Sequence, residues 1–202
     1  MTYGNGNRDL MRSSQSLLLE MRLQKDPWTI MIYHGNTGTS GCRLNLFIWR
    51  ATKRRIAVKV ELAKRGVQVE NQNCSRCNNE EESVNHLLIS SLKSRAIWWN
   101  VLVWLKLLVQ FNSDSCEELL DKIEEFNGSK DWKNLIKAIA MTTLWQIWKS
   151  RNDVEFNKKV GSITDLISGI KELSYLWIKE RARLKNLVWE RWKDFNIRDI
   201  IS

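Results

Sequence analysis

Pro27 is the only proline in a chain of 202 residues, and glycine occurs nine times. A chain with so few breakers cannot supply the frequent tight turns of a many-stranded β fold; long helices are what it can build. The apolar residues obey the same constraint. Within 130–157, Trp132, Leu135, Ile136, Ile139, Thr143, Ile147 and Arg151 mark one helical stripe, which Trp145 and Trp148 widen. Ile163, Leu166, Ile170, Leu173 and Trp177 repeat the pattern, so a helix is predicted to about Arg183, with Ser162 or Thr164 as its cap.

The other segments are less regular. Residues 8–24, "RDLMRSSQSLLLEMRLQ", place Leu10, Leu17, Leu18 and Met21 partly on one helical face, and "HGNTGTSG" (34–41) has loop composition. Residues 43–67 suggest two short helices, the second stopped by Gly66 after Lys64 and Arg65. A helix is predicted from near Ser83 to about Val109, on a stripe of Leu88, Leu92, Ile97, Val101, Trp104 and Leu108. "CEELLDKIEEF" (116–126) makes a short acidic helix, and "LVWERWKDF" (187–195) a last amphipathic stretch. The expected fold is mainly α: several amphipathic helices packed through Trp-rich faces, with one small loop-rich, zinc-knuckle-like Cys/His element. Eleven tryptophans supply the aromatic surface, and most are expected in the core.

The formal net charge is +9, a balance that suits a polyanionic partner. Eight of the cations, Arg43, Arg50, Lys53, Arg54, Arg55, Lys59, Lys64 and Arg65, fall within 43–67, where Glu61 is the only acid. Residues 179–193 add six cations against two acids. Four cysteines do not make a disulfide framework, and the start of the chain is polar, so an intracellular protein with reduced thiols is expected. The most apolar stretch, 97–111, is interrupted by Asn100, Lys106 and Gln110 and is shorter than the roughly 20 residues of a membrane span.

"NCSRCNNEEESVNHLLISS" (73–91) holds the residues with metal chemistry. Cys74 and Cys77 have the C-x-x-C spacing that turns two thiolates toward one point, and His86 follows on the first turn of a helix. A fourth ligand one helical turn later would fall at Ser91, or less well at Ser90. A serine hydroxyl does not ionise near neutral pH, so the fourth position is defective. Cys42 or Cys116 are the alternatives the chain offers. A catalytic zinc is not expected, since neither H-x-E nor H-E-x-x-H occurs.

Around that element the motifs follow an order. "NLFIWRATKRR" supplies Phe47, Trp49 and Arg50; "LAKRG" supplies Leu62, Arg65 and Gly66; Cys74, Cys77, Glu82, Ser83, His86 and Leu87 come next, then "RAIWWNVLVWL". This order resembles the reverse-transcriptase zinc-binding domain of plant non-LTR (LINE-type) retrotransposons: F-x-W-R, a basic turn, L-x-x-R-G, C-x-x-C, an acidic stretch, E-S-x-x-H-L and a final cysteine. "LWQIWKSRNDVEFN", through Trp145, Trp148, Arg151, Asn152 and Phe156, resembles a segment common beyond that motif, so the likeness spans about 43–160. The family's last cysteine falls at Ser91, and its usual proline before the first helix is missing. Residues 1–41 carry no motif of the family.

The resemblance implies a zinc-binding element by descent, with Cys74, Cys77 and His86 as ligands and Zn2+ as the cofactor. It divides the chain into 1–41, a poorly structured segment; 42–112, the zinc-binding-like domain; and 113–202, a helical region. The lost ligand implies a degenerate fragment of the polyprotein. Polymerase chemistry needs paired metal-binding aspartates, and no Asp-Asp pair occurs, so no enzyme activity is expected in this chain. The expected function is a non-catalytic module that holds RNA or DNA with low sequence specificity. Its phosphate contacts would come from Arg50, Lys53, Arg54, Arg55, Lys59, Lys64 and Arg65. The alternative is a helical structural or protein-interaction module that binds neither nucleic acid nor metal. No membrane and no small-molecule substrate is expected.

Overall fold

A computed structural model describes residues 39–107, 113–181 and 187–197. The chain divides into two compact units, Met1–Asn45 and Leu46–Ser202. In the first unit the described residues, 39–45, are helical. The helix expected over 8–24 lies outside the described residues. The described residues are mainly helical, and the nearest approach to a sheet among them is one antiparallel bridge between Asn73 and Glu81.

Helix α1 (Thr39–Thr52) begins inside the stretch expected to be loop, because Thr39, Ser40 and Gly41 join its first turn. It ends in a turn where Arg54 takes a left-handed φ of 54°. Helix α2 (Lys59–Lys64) follows. Gly66 stops it as expected: its φ is +80°, a region open to glycine, and the Val67 N–H returns to the Leu62 carbonyl at 3.1 Å. Helices α4 (Cys116–Glu125) and α5 (Lys130–Asn157) are capped by Ser115 and Ser129, whose hydroxyls accept from Glu118 and Trp132 backbone N–H groups. Helix α6 (Ile163–Arg181) starts at Ser162, which accepts from the Asp165 N–H at 3.0 Å. Helix α7 (Trp189–Lys193) is a single short turn.

The helix predicted from Ser83 to Val109 is not continuous. His86–Ser90 winds as a π-turn, in which the Ser91 N–H reaches back to the His86 carbonyl at 2.8 Å. Ser91 is extended, and its hydroxyl accepts from the Ser94 N–H at 3.2 Å, so α3 (Leu92–Trp104) starts afresh there. The restart separates α3 from the turn that carries Leu88. Ile97, Trp98, Val101 and Trp104 point inward, whereas Leu92, expected on the same stripe, is exposed. The expected stripe took a five-residue step from Leu92 to Ile97, which turns about 140° around a helix of 3.6 residues per turn and so leaves the buried face.

The long helix α5 is the central strut of the second unit. Leu135, Ile136, Ile139, Thr143 and Ile147 are buried along it as expected. Helix α6 packs against it after the short 158–162 connection, and their approach at Gly169 is close: the Gln146 side-chain N–H donates to the Gly169 carbonyl at 3.1 Å, and a Cβ there would meet that amide at 3.2 Å. Two aromatic groups fasten the other helices. Phe47 of α1 meets Trp145 edge-on, with centroids 5.2 Å apart, and lies near Trp148. Trp104, Trp192 and Phe195 form mutual edge-to-face contacts, joined by Trp132. The Trp192 indole N–H donates to the Lys171 carbonyl at 2.8 Å, which docks α7 on α6.

The apolar stripe of α5 ends on a charge. Arg151 is 2% exposed and Glu82, from the loop before the π-turn, is 0% exposed. The guanidinium grips both carboxylate oxygens, with Nη2 at 2.6 Å from Oε1 and Nε at 3.2 Å from Oε2. The same carboxylate accepts from the Lys59 N–H at 3.1 Å and the Ser75 hydroxyl at 3.3 Å. Arg151→Met is expected to cost about 3–5 kcal/mol of unfolding free energy, since it strands a buried carboxylate. Glu82→Leu with Arg151→Met should recover much of that loss. Urea midpoints of the single and double variants measure it, and strictly additive losses would show that the two groups do not act as a pair.

Candidate functional site

The site is a knuckle built on that anchored loop. Two short backbone runs face each other: the Cys74 N–H donates to the Glu80 carbonyl at 2.8 Å, and the Glu82 N–H to the Gln72 carbonyl at 2.8 Å. Between them the C-x-x-C closes on itself, with the Asn78 N–H on the Cys74 carbonyl at 2.7 Å and Asn78 at a left-handed φ of 57°. Asparagine tolerates that conformation better than most residues. Ser83 then accepts from the His86 N–H at 3.1 Å and holds the π-turn in place, which gives E-S-x-x-H a mechanical meaning. Glu82 nails the loop to α5, Ser83 caps the turn, and His86 is presented by it.

Cys74 Sγ, Cys77 Sγ and a ring nitrogen of His86 lie within 4.8 Å of one another. His86 Nε2 is 3.2 Å from Cys77 Sγ, while Nδ1 lies 3.0 Å from Glu80 Oε2, near enough for an ion pair but not aligned as a hydrogen bond. In a tetrahedral zinc site, Zn–S near 2.3 Å and Zn–N near 2.0 Å set ligand atoms roughly 3.5 Å apart. The three donors therefore fit zinc in chemistry and spacing. Nε2 faces the metal position, and the carboxylate on Nδ1 is where a metal-bound histidine usually has its orienting partner.

The fourth vertex has no such donor. Ser91 is buried, and its hydroxyl is spent on the cap of α3, donating to Ser94 Oγ at 2.9 Å. Among the described residues, the metal-ligating side chains that come together are those three alone. Cys116 stays outside the group; burial, its largest influence, pushes the thiol up to about 12, so it is an inert core residue. The Cys42 side chain lies outside the described residues.

Arg76, inside the C-x-x-C, was not legible as part of the site. It is buried, and its Nη1 donates to Ser94 Oγ at 3.2 Å. Burial lowers its pKa, and the two neighbouring cysteines act in the opposite direction. Burial likewise raises the Cys74 thiol, against the backbone N–H groups of Arg76 and Cys77. The only sequence signal was an arginine between the two cysteines.

The basic residues separate into two groups. Lys53, Arg54 and Arg55 are exposed in the α1–α2 turn, with the Arg55 guanidinium 5.7 Å over the Trp49 ring. Arg65 is exposed beyond α2, and Lys64 pairs with Glu61 at 2.8 Å. Arg50 is half-buried. Lys59 is drawn inward: its ammonium donates to the Asn73 carbonyl at 3.0 Å and lies 3.5 Å from Glu155. It therefore ties α2 to the knuckle and to α5. No helix among the described residues is long and apolar enough to cross a membrane.

Residues 11–98 match the family described as zinc-binding in reverse transcriptase. The matched segment contains Cys74, Cys77, His86 and Ser91, and is similar to a reverse-transcriptase-associated zinc-binding module. It begins well before residue 43, so most of the N-terminal stretch that showed no motif falls inside the match. The "IWKSRN" segment falls outside it, joined to the knuckle through Arg151 and Glu82. No curated protein and no solved structure matches the chain.

Cobalt titrated into the metal-free chain is expected to give a charge-transfer band of two-thiolate strength. Cys77→Ser should remove at least half of it, and Cys116→Ala should leave it unchanged. An unchanged band in Cys77→Ser would show that the thiolates bind elsewhere.

Proposed function

We propose that this chain is a non-catalytic nucleic-acid-binding module from the reverse transcriptase polyprotein of a plant LINE-type retrotransposon, degenerate at one ligand position. The observation that carries the reading is the run Lys53, Arg54 and Arg55, with Arg65 across α2. These cations are solvent-exposed and have no carboxylate partner among the described residues. They lie within the matched segment and flank a helix that Lys59 bonds directly to the knuckle. Unpaired surface cations on a rigid support suit a phosphate backbone, whose contacts position a strand without reading its bases.

Zinc bound to Cys74, Cys77 and His86 would cross-link the knuckle to the π-turn and make the support stiffer. The chain's own residues already carry most of that task. Glu82 and Arg151 fix the loop, and Ser83 sets the turn. Nothing in the donor set asks for hydrolytic chemistry: Glu80 faces His86 Nδ1, on the far side of the ring from the metal position. The template RNA or target DNA of primed reverse transcription is the partner this reading names.

The test is fluorescence anisotropy of the full chain with a short labelled RNA and a duplex DNA over a range of salt. Lys53→Ala/Arg54→Ala/Arg55→Ala is expected to flatten the slope of log K against log salt by roughly 2, since each phosphate no longer neutralised removes about 0.7–0.9 from it. Absence of binding by the unaltered chain at low salt would leave the interaction-module reading in its place.

A further inference from the structure

Helix α3 is apolar on both its sides. One side, with Ile97, Trp98, Val101 and Trp104, is buried. The other carries Leu92 at 73% exposure, Trp99 at 64% and Val103 at 59%. Leu92, Ala96, Trp99 and Val103 step along the helix by four, three and four residues, so they form one stripe. Every other described tryptophan is buried or half-buried; Trp99 alone stands out in solvent.

The charged residues of α3 itself are of one sign. No Asp or Glu occurs between Ser83 and Asp114. Lys93 and Arg95 are exposed on either flank, and neither has an ion-pair partner among the described residues. Arg95 precedes Trp99 by one helical turn, which puts the two residues on neighbouring positions of the same face. A second copy of this helix would set the same cations against each other and offer no acid to answer them. A polyanion meets no such conflict.

We infer that the exposed face of α3 is a stacking platform for single-stranded nucleic acid, with Trp99 taking a base and Lys93 and Arg95 taking the adjoining phosphates. An indole offers a π-face to any base, and flanking cations follow the backbone, which is how single strands are held without sequence preference. Leu92 and Val103 extend the apolar shelf on which a base can lie. A duplex keeps its bases stacked within, so Trp99 gains nothing from it. This surface rests on the nucleic-acid reading above and sharpens it from a polyanion to a single strand. It is separate from the Lys53–Arg55 turn, which would hold phosphates of either form.

The experiment compares the full chain with Trp99→Ala, Trp99→Phe and Arg95→Glu, using a labelled oligo(U) strand and a labelled duplex. Trp99→Ala is expected to weaken the single strand about fivefold or more, as removal of one stacked base does. It should leave duplex binding, the salt slope and the melting temperature as they were, because Trp99 stands out in solvent rather than in the core. Trp99→Phe should restore most of the lost affinity, and Arg95→Glu should weaken the single strand with a smaller salt slope. Equal single-strand affinity in Trp99→Ala and the unaltered chain overturns the platform while the phosphate-binding reading stands. A dimer in light scattering that Trp99→Ala converts to a monomer also overturns it, and assigns the face to self-association. No binding of either oligomer at low salt removes both readings together.

Discussion

A carboxylate without solvent access must be answered on every lone pair, and Glu82 is. Arg151 takes both oxygens, the Lys59 N–H and the Ser75 hydroxyl take one each, and the Glu82 backbone pairs with Gln72 and Val60. Withdrawing two charges from water is costly, and an ion pair in the core is often no more stable than apolar residues of the same volume. Its value here is geometric. Apolar contacts would let the loop slide on α5, whereas a bidentate guanidinium fixes position and angle together. The knuckle, α2 and the long helix α5 meet at this one group.

The cysteines inherit their positions from that anchor. Glu82 lies next to Ser83, whose hydroxyl sets the π-turn that presents His86. Ser75, between the cysteines, is tied to the same carboxylate. The donors are therefore preorganised by the polypeptide, at distances that suit a metal. A zinc knuckle assembled only by its ion would need all four ligands; one braced by a buried ion pair has a second source of order. Ser91 follows the same logic. Where the resembled family places a thiolate, this chain places a hydroxyl that caps α3, and so gains helix initiation at the cost of a ligand.

That cap starts α3 at Leu92, and the spacing within α3 decides which of its residues face water. Leu92 lies about 140° around the helix from Ile97 and about 180° from Val101. With Ile97, Trp98, Val101 and Trp104 packed inward, Leu92, Trp99 and Val103 emerge on the surface, with Lys93 and Arg95 exposed on the same helix. The serine at the fourth position of the candidate metal site is also the residue that starts this helix.

Much was legible beforehand. The scarcity of breakers and the threefold and fourfold spacing foretold the helices from Cys116 to Arg181 closely, because helical caps and stripes are local properties of a chain. C-x-x-C and His86 marked the donor cluster for the same reason. What lay beyond reach were interactions set by distance in space. Arg151 looked like the end of a stripe and Lys59 like one more surface cation, and Arg76 drew no reading; each is turned inward by a partner far along the chain or on another element. Local chemistry determined the elements and the identity of the candidate metal donors. Only the tertiary structure decided which charges are buried, which cations stay exposed and which tryptophan faces solvent, because burial depends on what packs opposite, and no single stretch of sequence contains both sides of a contact.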